Sequence, residues 1–263
     1  MRILVCLLTL TFLFSCSSPG PGHQVWVDDG LVNDLDGYWL YLPENYHHSD
    51  KEWPVLVYLV GGDMAAGPNP RTAKNEGPIR YANNSSNETL KQYVLDSFII
   101  IQPHMTTGPR EQREWGQNAG AIIHIIDQVL EQYNGNKNRV SITGVSKGGH
   151  GCWQVAKKHP DRFHKIIPIS GRINCNEDCD VLLYKPIWII HNDGDQQVES
   201  EYSKSVVKWF QQRQRPFLTV DNMSLSSDEL SAQRIFSLLP KKGHDAWGGA
   251  YSSPVLYEWI LMD

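Results

Sequence analysis

A serine enclosed by two glycines gives the first chemical lead in this chain. The run Gly144-Val145-Ser146-Lys147-Gly148 follows the β-branched segment 139–143 and precedes a segment compatible with a helix, 151–159. Where a strand turns sharply into a helix, flanking glycines leave space and the serine hydroxyl projects into a cleft. This context favours Ser146 as a nucleophile over a structural turn.

A base must accompany such a serine, because a hydroxyl becomes a nucleophile only when a neighbour takes its proton. In folds whose nucleophile lies in a Gly-x-Ser-x-Gly turn between a strand and a helix, the three catalytic residues occur along the chain in the order serine, acid, histidine. Two histidines lie beyond the immediate surroundings of Ser146, namely His191 and His244. His244 lies in a glycine-rich loop before the last predicted helix, and we predict it as the base. His191 continues a predicted strand, and we expect it to order the acid loop.

Candidate acids follow the predicted strand at 187–190. Asp193-Gly194 is typical of a tight turn, which favours Asp195 as the carboxylate that orients His244 and leaves Asp193 as the alternative. Asp245 is a third carboxylate beside His244, but a sequence neighbour is badly placed to bond the same ring.

These residues need a scaffold that brings them to one edge, and apolar strands alternating with helices predict one. Continuous apolar runs are typical of strands buried on both faces, and apolar residues at helical spacing predict helices between them. The pattern predicts an α/β fold with a mainly parallel sheet and helices on both faces, in which chemistry collects at the carboxyl ends of the strands. The predicted strands are at 38–42, 54–60, 97–101, 139–145, 165–169 and 187–190, and the main helices at 120–133, 200–211 and 254–261.

The N-terminal residues are typical of an export signal. Met1-Arg2 is positive, and the apolar segment 3–14 is too short to span a bilayer comfortably. Cys16 comes directly after the signal, 1–15, and this arrangement resembles the bacterial lipoprotein signal, with Cys16 as the lipid-modified first residue; an ordinary secretory signal is the alternative. We predict a signal at 1–15, a flexible tether at 16–23 and a catalytic domain at 24–263. The expected location is the bacterial cell envelope, held to the membrane by the N-terminal lipid.

Composition and cysteine use agree with an exported globular domain. The chain is 41% hydrophobic and 20% charged with a net charge of −5, and it has no basic stripe for nucleic acid. Cys175 and Cys179 are spaced for a small disulfide loop in an oxidising compartment, whereas the lack of a second pair argues against a metal site. We expect Cys152 to be a buried packing residue.

Five sequence blocks together resemble the α/β-hydrolase superfamily, in the esterase branch that includes phospholipase/carboxylesterase-like proteins, feruloyl and acetyl-xylan esterases, and prolyl-oligopeptidase catalytic domains. The resemblance implies an α/β-hydrolase fold with Ser146 as nucleophile, Asp195 as acid and His244 as base. Two positions depart from the pattern: Val60 stands where a histidine is common, and Lys147 where methionine or glutamine is common. A cation at position 147 has two expected consequences, a preference for substrates that bear a carboxylate or a shift of the pH profile. The blocks are at 40–46, 144–153, 159–163, 168–171 and 243–247.

The expected reaction is hydrolysis of a carboxylic ester through an acyl-enzyme, with acetyl or feruloyl esters of carbohydrate among the candidate substrates and no cofactor required. Backbone N–H groups of Gly62 and Lys147 are the predicted oxyanion donors. The nine tryptophans, Trp115 among them, are candidate platforms for a sugar or aryl group, although an aromatic residue is more often part of the core. Two alternatives remain open: a serine peptidase of the prolyl-oligopeptidase type, and a lipoprotein that binds a ligand without catalysis.

Overall fold

The structure is a computed structural model that describes residues 20–28, 35–46, 51–62, 74–105, 114–175 and 177–263. Within these ranges the chain forms a nine-stranded sheet and eight α-helices. The strands are β1 (Gln24–Val27), β2 (Leu35–Tyr41), β3 (Trp53–Leu59), β4 (Ile99–Met105), β5 (Gly135–Val145), β6 (Lys165–Ile169), β7 (Ile187–Gly194), β8 (Leu218–Val220) and β9 (Arg234–Lys242). The helices are α1 (Pro78–Asn83), α2 (Glu88–Leu95), α3 (Ala119–Gln132), α4 (Lys147–Lys158), α5 (Glu201–Gln212), α6 (Ser227–Leu230), α7 (Trp247–Tyr251) and α8 (Pro254–Leu261).

The sheet is mainly parallel and has the order β1-β2-β4-β3-β5-β6-β7-β9-β8. Only β1 with β2 and β2 with β4 pair antiparallel; the six remaining pairs are parallel. The carboxyl ends of β5, β6, β7 and β9 therefore lie along one edge. These are the strands that lead to Ser146, Ser170, Asp195 and His244, so the topology alone brings four distant segments together.

Burial of the central strands shows why these sequences form this sheet. All five residues of β6 and all seven of β4 are buried. Because successive side chains of a strand point to opposite faces, such strands need helices on both sides, and this fits the predicted α/β fold.

The fourth strand corrects one boundary. We predicted that it ends before Gln102-Pro103, but β4 continues to Met105. Beyond Ile101 it pairs only with β2, with Pro103 opposite Tyr38. A proline is tolerated where one side of the strand has no partner, because its missing N–H then costs no ladder hydrogen bond.

Sequence reasoning missed several elements that flank the site. The most important is β9, which pairs in parallel with β7 and leads directly into the loop of His244. Its carboxyl half contains Pro240 and the exposed lysines Lys241 and Lys242, which interrupt the apolar pattern. The strands β1 and β8 and the helix α2 were also not predicted.

The last helix is fixed to the sheet by two cations at its C-terminus, one of them buried. Lys165 Nζ donates to the carbonyl oxygens of Trp259 and Met262, and Arg139 donates to that of Leu261. Lys165 is 3% exposed and its ammonium also lies 4.9 Å from the Trp259 ring centroid. Cations at a helix C-terminus satisfy the last carbonyls and stabilise the helix dipole.

Across the described residues, no helix has the length and apolar character that crossing a membrane requires.

Candidate active site

Ser146 lies at the turn between β5 and α4, in a backbone conformation that non-glycine residues rarely adopt. Its φ is 54° and its ψ is −116°. The turn packs tightly against the end of β3: a Cβ at Gly148 would lie 1.8 Å from the Leu59 carbonyl oxygen, and one at Gly144 would lie 2.6 Å from the same atom. Both glycines of the motif are therefore required sterically. The Ser146 N–H donates to the Ile169 carbonyl at 2.9 Å, which fixes the strained residue in place.

His244 reaches the serine from the loop between β9 and α7. Its Nε2 lies 2.8 Å from Ser146 Oγ, and its side chain is 9% exposed. The loop is held by its own backbone: Ser170 Oγ donates to the His244 carbonyl at 3.0 Å, and Asn192 Nδ2 donates to the Gly243 carbonyl at 2.9 Å. The imidazole is thus positioned before any substrate binds.

Asp195 is buried at the carboxyl end of β7 and completes the chain of hydrogen bonds. Its Oδ2 lies 2.6 Å from His244 Nδ1, and its Oδ1 accepts from the N–H groups of Gln197 and Val198 at 2.9 and 3.0 Å. Burial acts to raise the pKa of Asp195, but the hydrogen bonds from His244 and the two N–H groups outweigh it and lower the pKa below its usual value. The group therefore stays a carboxylate at neutral pH.

His191 supports Asp195 from inside the core. It is fully buried, with Nε2 at 2.8 Å from the Val198 carbonyl and 3.2 Å from Asp195 Oδ2, while Nδ1 lies 2.7 Å from Ser203 Oγ. Burial lowers the pKa of His191. A neutral ring with its proton on Nε2 fits all these contacts, because the Ser203 hydroxyl then donates to Nδ1.

The two other candidate carboxylates lie elsewhere. Asp193 points away from the histidine and pairs with Lys204 at 2.7 Å, which lowers the pKa of Asp193. Asp245 accepts from the Gly248 N–H at 2.7 Å in the first turn of α7. The structure thus brings Ser146, His244 and Asp195 into one hydrogen-bonded chain and leaves Asp193 and Asp245 outside it.

A cavity of about 370 Å³ opens beside Ser146 and His244. Its aromatic lining includes Tyr81 and Trp247, and the Trp247 ring stands edge-on to the His244 ring with centroids 5.2 Å apart. An ion pair between Glu76 and Arg80, 3.2 Å long, lies at the same cavity. Trp247 belongs to the block at 243–247 that resembles the superfamily, and no role was predicted for it.

The predicted oxyanion donors belong to the two segments that meet at Ser146. Lys147 is the first residue of α4, and Gly62 lines the same cavity as Ser146 with φ of 55°. The preceding Gly61 packs against the nucleophile turn, since a Cβ there would lie 2.6 Å from the Val145 carbonyl oxygen and 3.2 Å from Ser146 Cβ. The segments that carry Gly62 and Lys147 therefore meet at Ser146, and the role of their N–H groups stays a prediction.

Trp115 is a core residue and not a ligand platform, the more common of the two roles for an aromatic residue. Its side chain is fully buried, and its Nε1 donates to the Val60 carbonyl at 3.2 Å. Trp115 also packs against α4, because a Cβ at Gly151 would lie 2.6 Å from Trp115 Cβ. It therefore helps to fix the end of β3, next to the position where the superfamily commonly has a histidine.

The cysteines fall into three groups. Cys175 and Cys179 form a disulfide with Cα atoms 5.3 Å apart. Cys152 is a free buried thiol whose pKa is raised by burial, as suits a packing residue. Cys16, with the predicted signal and the first part of the tether, lies outside the described residues. Among the residues that the structure describes, no group of three or more His, Cys, Asp or Glu is placed to hold a metal ion.

Comparison with known proteins adds a family and a fold. The sequence family described as "Putative esterase" matches residues 106–243, just over half of the chain, and this segment includes Ser146 and Asp195. Acetylxylan esterase A of Emericella nidulans is 22% identical over 188 residues, which cover 65% of this chain and 56% of that protein.

Solved structures of similar fold include a thermostable esterase with a TM-score of 0.68 and 21% identity, covering 90% of this chain and 62% of that one. A feruloyl esterase module from Clostridium thermocellum has a TM-score of 0.67 at 14% identity, covering 93% and 91%. The fluorophosphonate-binding serine hydrolase F of Staphylococcus aureus has a TM-score of 0.63 at 17% identity, covering 93% and 100%. The chain spans less than two thirds of the Emericella protein and of the thermostable esterase. The α/β-hydrolase fold and the match over 106–243 agree, and the chain belongs to the putative esterase family.

Proposed function

We propose that this protein hydrolyses carboxylic esters through an acyl-enzyme on Ser146. His244 takes the proton of Ser146 Oγ as the oxygen attacks the ester carbonyl, and then gives it to the leaving alcohol. Asp195 holds the imidazole with its proton on Nδ1 and stabilises the imidazolium that forms. Water, activated by the same histidine, then releases the acyl group.

The single observation that supports this cycle is the continuous hydrogen-bonded chain from Oγ of Ser146 through both ring nitrogens of His244 to Oδ2 of Asp195, with separations of 2.8 and 2.6 Å. A nucleophile in bonding contact with a base, which is itself oriented by a carboxylate, is the geometric requirement for activating a serine. This arrangement favours an enzyme over a binding protein that has lost catalysis, despite the unusual residues at 60 and 147.

Gly62 and Lys147 are the proposed oxyanion donors. The first turn of a helix presents N–H groups toward developing negative charge, which supports Lys147, and the contact of Gly61 with the nucleophile turn supports a donor from the adjacent residue. Loss of one such donor typically costs about 3 kcal/mol of transition-state stabilisation.

The alcohol part of the substrate is proposed to be a carbohydrate hydroxyl. His244 must deliver a proton to the leaving alcohol, so the alcohol occupies the cavity that His244 lines. Aromatic faces at Tyr81 and Trp247 suit the apolar faces of a sugar ring, and the charged groups of Glu76 and Arg80 suit its hydroxyls. The names of relatives, acetylxylan and feruloyl esterases, agree with this choice.

The test compares Ser146→Ala with Ser205→Ala, which removes an exposed hydroxyl from α5. Both proteins, folded by circular dichroism, are assayed on 4-nitrophenyl acetate, a feruloyl ester, acetylated xylan and an aminoacyl-proline anilide. We expect Ser146→Ala to lose ester turnover and labelling by a fluorophosphonate probe, and Ser205→Ala to keep both at the wild-type level. Unchanged ester turnover in Ser146→Ala refutes the proposal, whereas faster cleavage of the anilide than of the esters favours the peptidase.

We also propose that Cys16 carries a lipid that holds the protein on the bacterial cell envelope. The support is the short apolar run that ends at this cysteine, followed by a Ser-, Pro- and Gly-rich tether. Expression of the full chain with an alkyne fatty acid should label the wild type and not Cys16→Ser. Equal labelling of both proteins would contradict the lipoprotein signal.

A further inference from the structure

A second cavity, of about 240 Å³, adjoins Ser146 and differs from the first in its lining. Ser146 and Gln197 line both cavities, but His244 and Trp247 line only the first. An ester bound with its carbonyl carbon at Ser146 Oγ therefore has two places for its two ends. We call this second space the basic cavity, because its lining includes three residues of basic type, Lys147, His150 and Arg172, and one of acidic type, Glu114.

The charges of the basic cavity favour an anion. Among the described lining residues are two lysine or arginine side chains, Lys147 and Arg172, and one carboxylate, that of Glu114. Glu114 lies beside His150, with its Oε2 3.9 Å from His150 Nε2. His150 in turn donates from Nδ1 to the Arg172 carbonyl, which ties the Arg172 loop to α4. Cationic side chains therefore outnumber carboxylates among the described lining residues, in a chain whose net charge is −5.

Arg172 adds a second cationic side chain to the basic cavity, beside that of Lys147, which follows the nucleophile. Arg172 follows the end of β6, and its side chain is exposed at the cavity rather than buried in the core. The loop is fixed on its inner side, because Gly171 packs so closely on α4 that a Cβ there would lie 2.5 Å from the carbonyl carbon of Gly149. A guanidinium held on a fixed loop is suited to bidentate recognition of a carboxylate.

We infer that the basic cavity binds a carboxylate carried by the acyl part of the ester substrate. The assignment to the acyl part follows from His244: the leaving alcohol must meet this histidine, so the acyl group takes the side that His244 does not line. The substrate class is therefore a half-ester of a dicarboxylic acid, and the inference rests on the proposed esterase function.

The experiment measures kcat/KM for two matched pairs of substrates. In the first pair the acyl chains have equal length and differ in charge: mono-4-nitrophenyl adipate against 4-nitrophenyl hexanoate. In the second pair the charge is on the leaving group: 4-acetoxybenzoate against its methyl ester. Ser146→Ala supplies the blank for spontaneous hydrolysis.

Arg172→Gln and the charge reversal Arg172→Glu are compared with Lys137→Gln. Lys137 is an exposed cation at the opposite end of β5, so its loss removes the same formal charge far from the site. We expect Arg172→Gln to lower the adipate-to-hexanoate ratio about tenfold, which equals about 1.4 kcal/mol. Arg172→Glu should lower the ratio further, and Lys137→Gln should leave it at the wild-type value. Raising NaCl from about 0.05 M to about 0.5 M should also reduce the wild-type ratio, because salt screens exposed charges.

Failure of the carboxylate site and failure of the proposed esterase function give different results in these assays. Hydrolysis that depends on Ser146 but shows no preference for the adipate overturns the carboxylate site and leaves the esterase intact. A preference that Arg172→Gln and Lys137→Gln reduce equally overturns it too, because the effect is then one of net charge. A preference confined to the acetoxybenzoate pair overturns the acyl assignment. Turnover that survives Ser146→Ala overturns the esterase itself.

Discussion

Replacing Asp195 with Asn should abolish most activity while leaving the site's shape unchanged. Oδ1 of Asp195 accepts from the N–H groups of Gln197 and Val198, so an asparagine must keep its carbonyl oxygen there and place its NH2 where Oδ2 was. The amide then meets His244 Nδ1 as a donor. The imidazole is forced into the tautomer with its proton on Nε2, and that nitrogen can no longer take the proton of Ser146.

The size of the effect follows from the geometry. The carboxylate and the imidazolium that forms during the reaction are in hydrogen-bonding contact at 2.6 Å, with charge centres about 4 Å apart; at an effective dielectric constant of about 20 they attract by about 4 kcal/mol. Their side chains are 0% and 9% exposed, so solvent screens the pair little. Loss of this attraction lowers kcat roughly 10³-fold, and the wrong tautomer extends the loss toward about 10⁴-fold.

The assay is kcat on 4-nitrophenyl acetate together with the labelling rate of a fluorophosphonate probe, which reports nucleophile activation independently of substrate fit. Asp193→Asn is the matched control, because Asp193 bonds Lys204 and lies outside the hydrogen-bonded chain. It should retain activity within about twofold of the wild type. A kcat for Asp195→Asn within about tenfold of the wild-type value would refute the role of Asp195 as the acid. A large loss of kcat in Asp193→Asn alone would assign that role to Asp193.

Three further predictions concern residues around the triad and the last helix. His191→Asn should lower kcat between about tenfold and a hundredfold with little change in KM, because it loosens Asp195; an unchanged kcat would contradict this positioning role. Gly61→Ala should lower kcat about 10²-fold, because its Cβ would lie 2.6 Å from the Val145 carbonyl oxygen and separate the two oxyanion segments. Burial and the nearby Arg139 lower the pKa of Lys165 to about 8, so between about pH 8 and pH 10.5 the unfolded chain binds more protons there than the folded one. Urea unfolding should therefore show the wild type gaining stability relative to Lys165→Met as the pH rises through this window, and a constant difference would contradict the shift.

The parts of the fold that the sequence predicts are those with a local signal. Continuous apolar strands, helical spacing and the glycines around Ser146 each act within a few residues, and the carboxyl-end rule then brings Asp195 and His244 to the same edge. The strand β9 escaped prediction because Pro240 and the two lysines after it break the continuous apolar pattern that β6 and β7 have.

Features that depend on distant contacts have no such signal. Trp115 has the composition of a binding aromatic but is enclosed by α4 and the end of β3. Arg172 lies in the loop after β6, and nothing in the sequence shows that this loop lies beside α4. Only the folded chain brings Arg172 and Lys147 to the same cavity. The hydroxyl of Ser170, which holds the His244 backbone, is likewise indistinguishable in sequence from any other loop serine.

Ser146 and Ser170 show how the sheet positions one imidazole from both sides. They end the adjacent strands β5 and β6, and both have positive φ, 54° and 47°. Each serine N–H donates to the carbonyl oxygen of an isoleucine on the next strand. Ser146 donates to Ile169 of β6, and Ser170 donates to Ile190 of β7. One hydroxyl meets Nε2 of His244 and the other meets its carbonyl oxygen. Backbone strain of about 1–3 kcal/mol at each serine persists because these parallel-strand contacts over-determine it. The histidine is thereby fixed in ring and backbone before substrate arrives, and this preorganisation is what electrostatic stabilisation of a transition state requires.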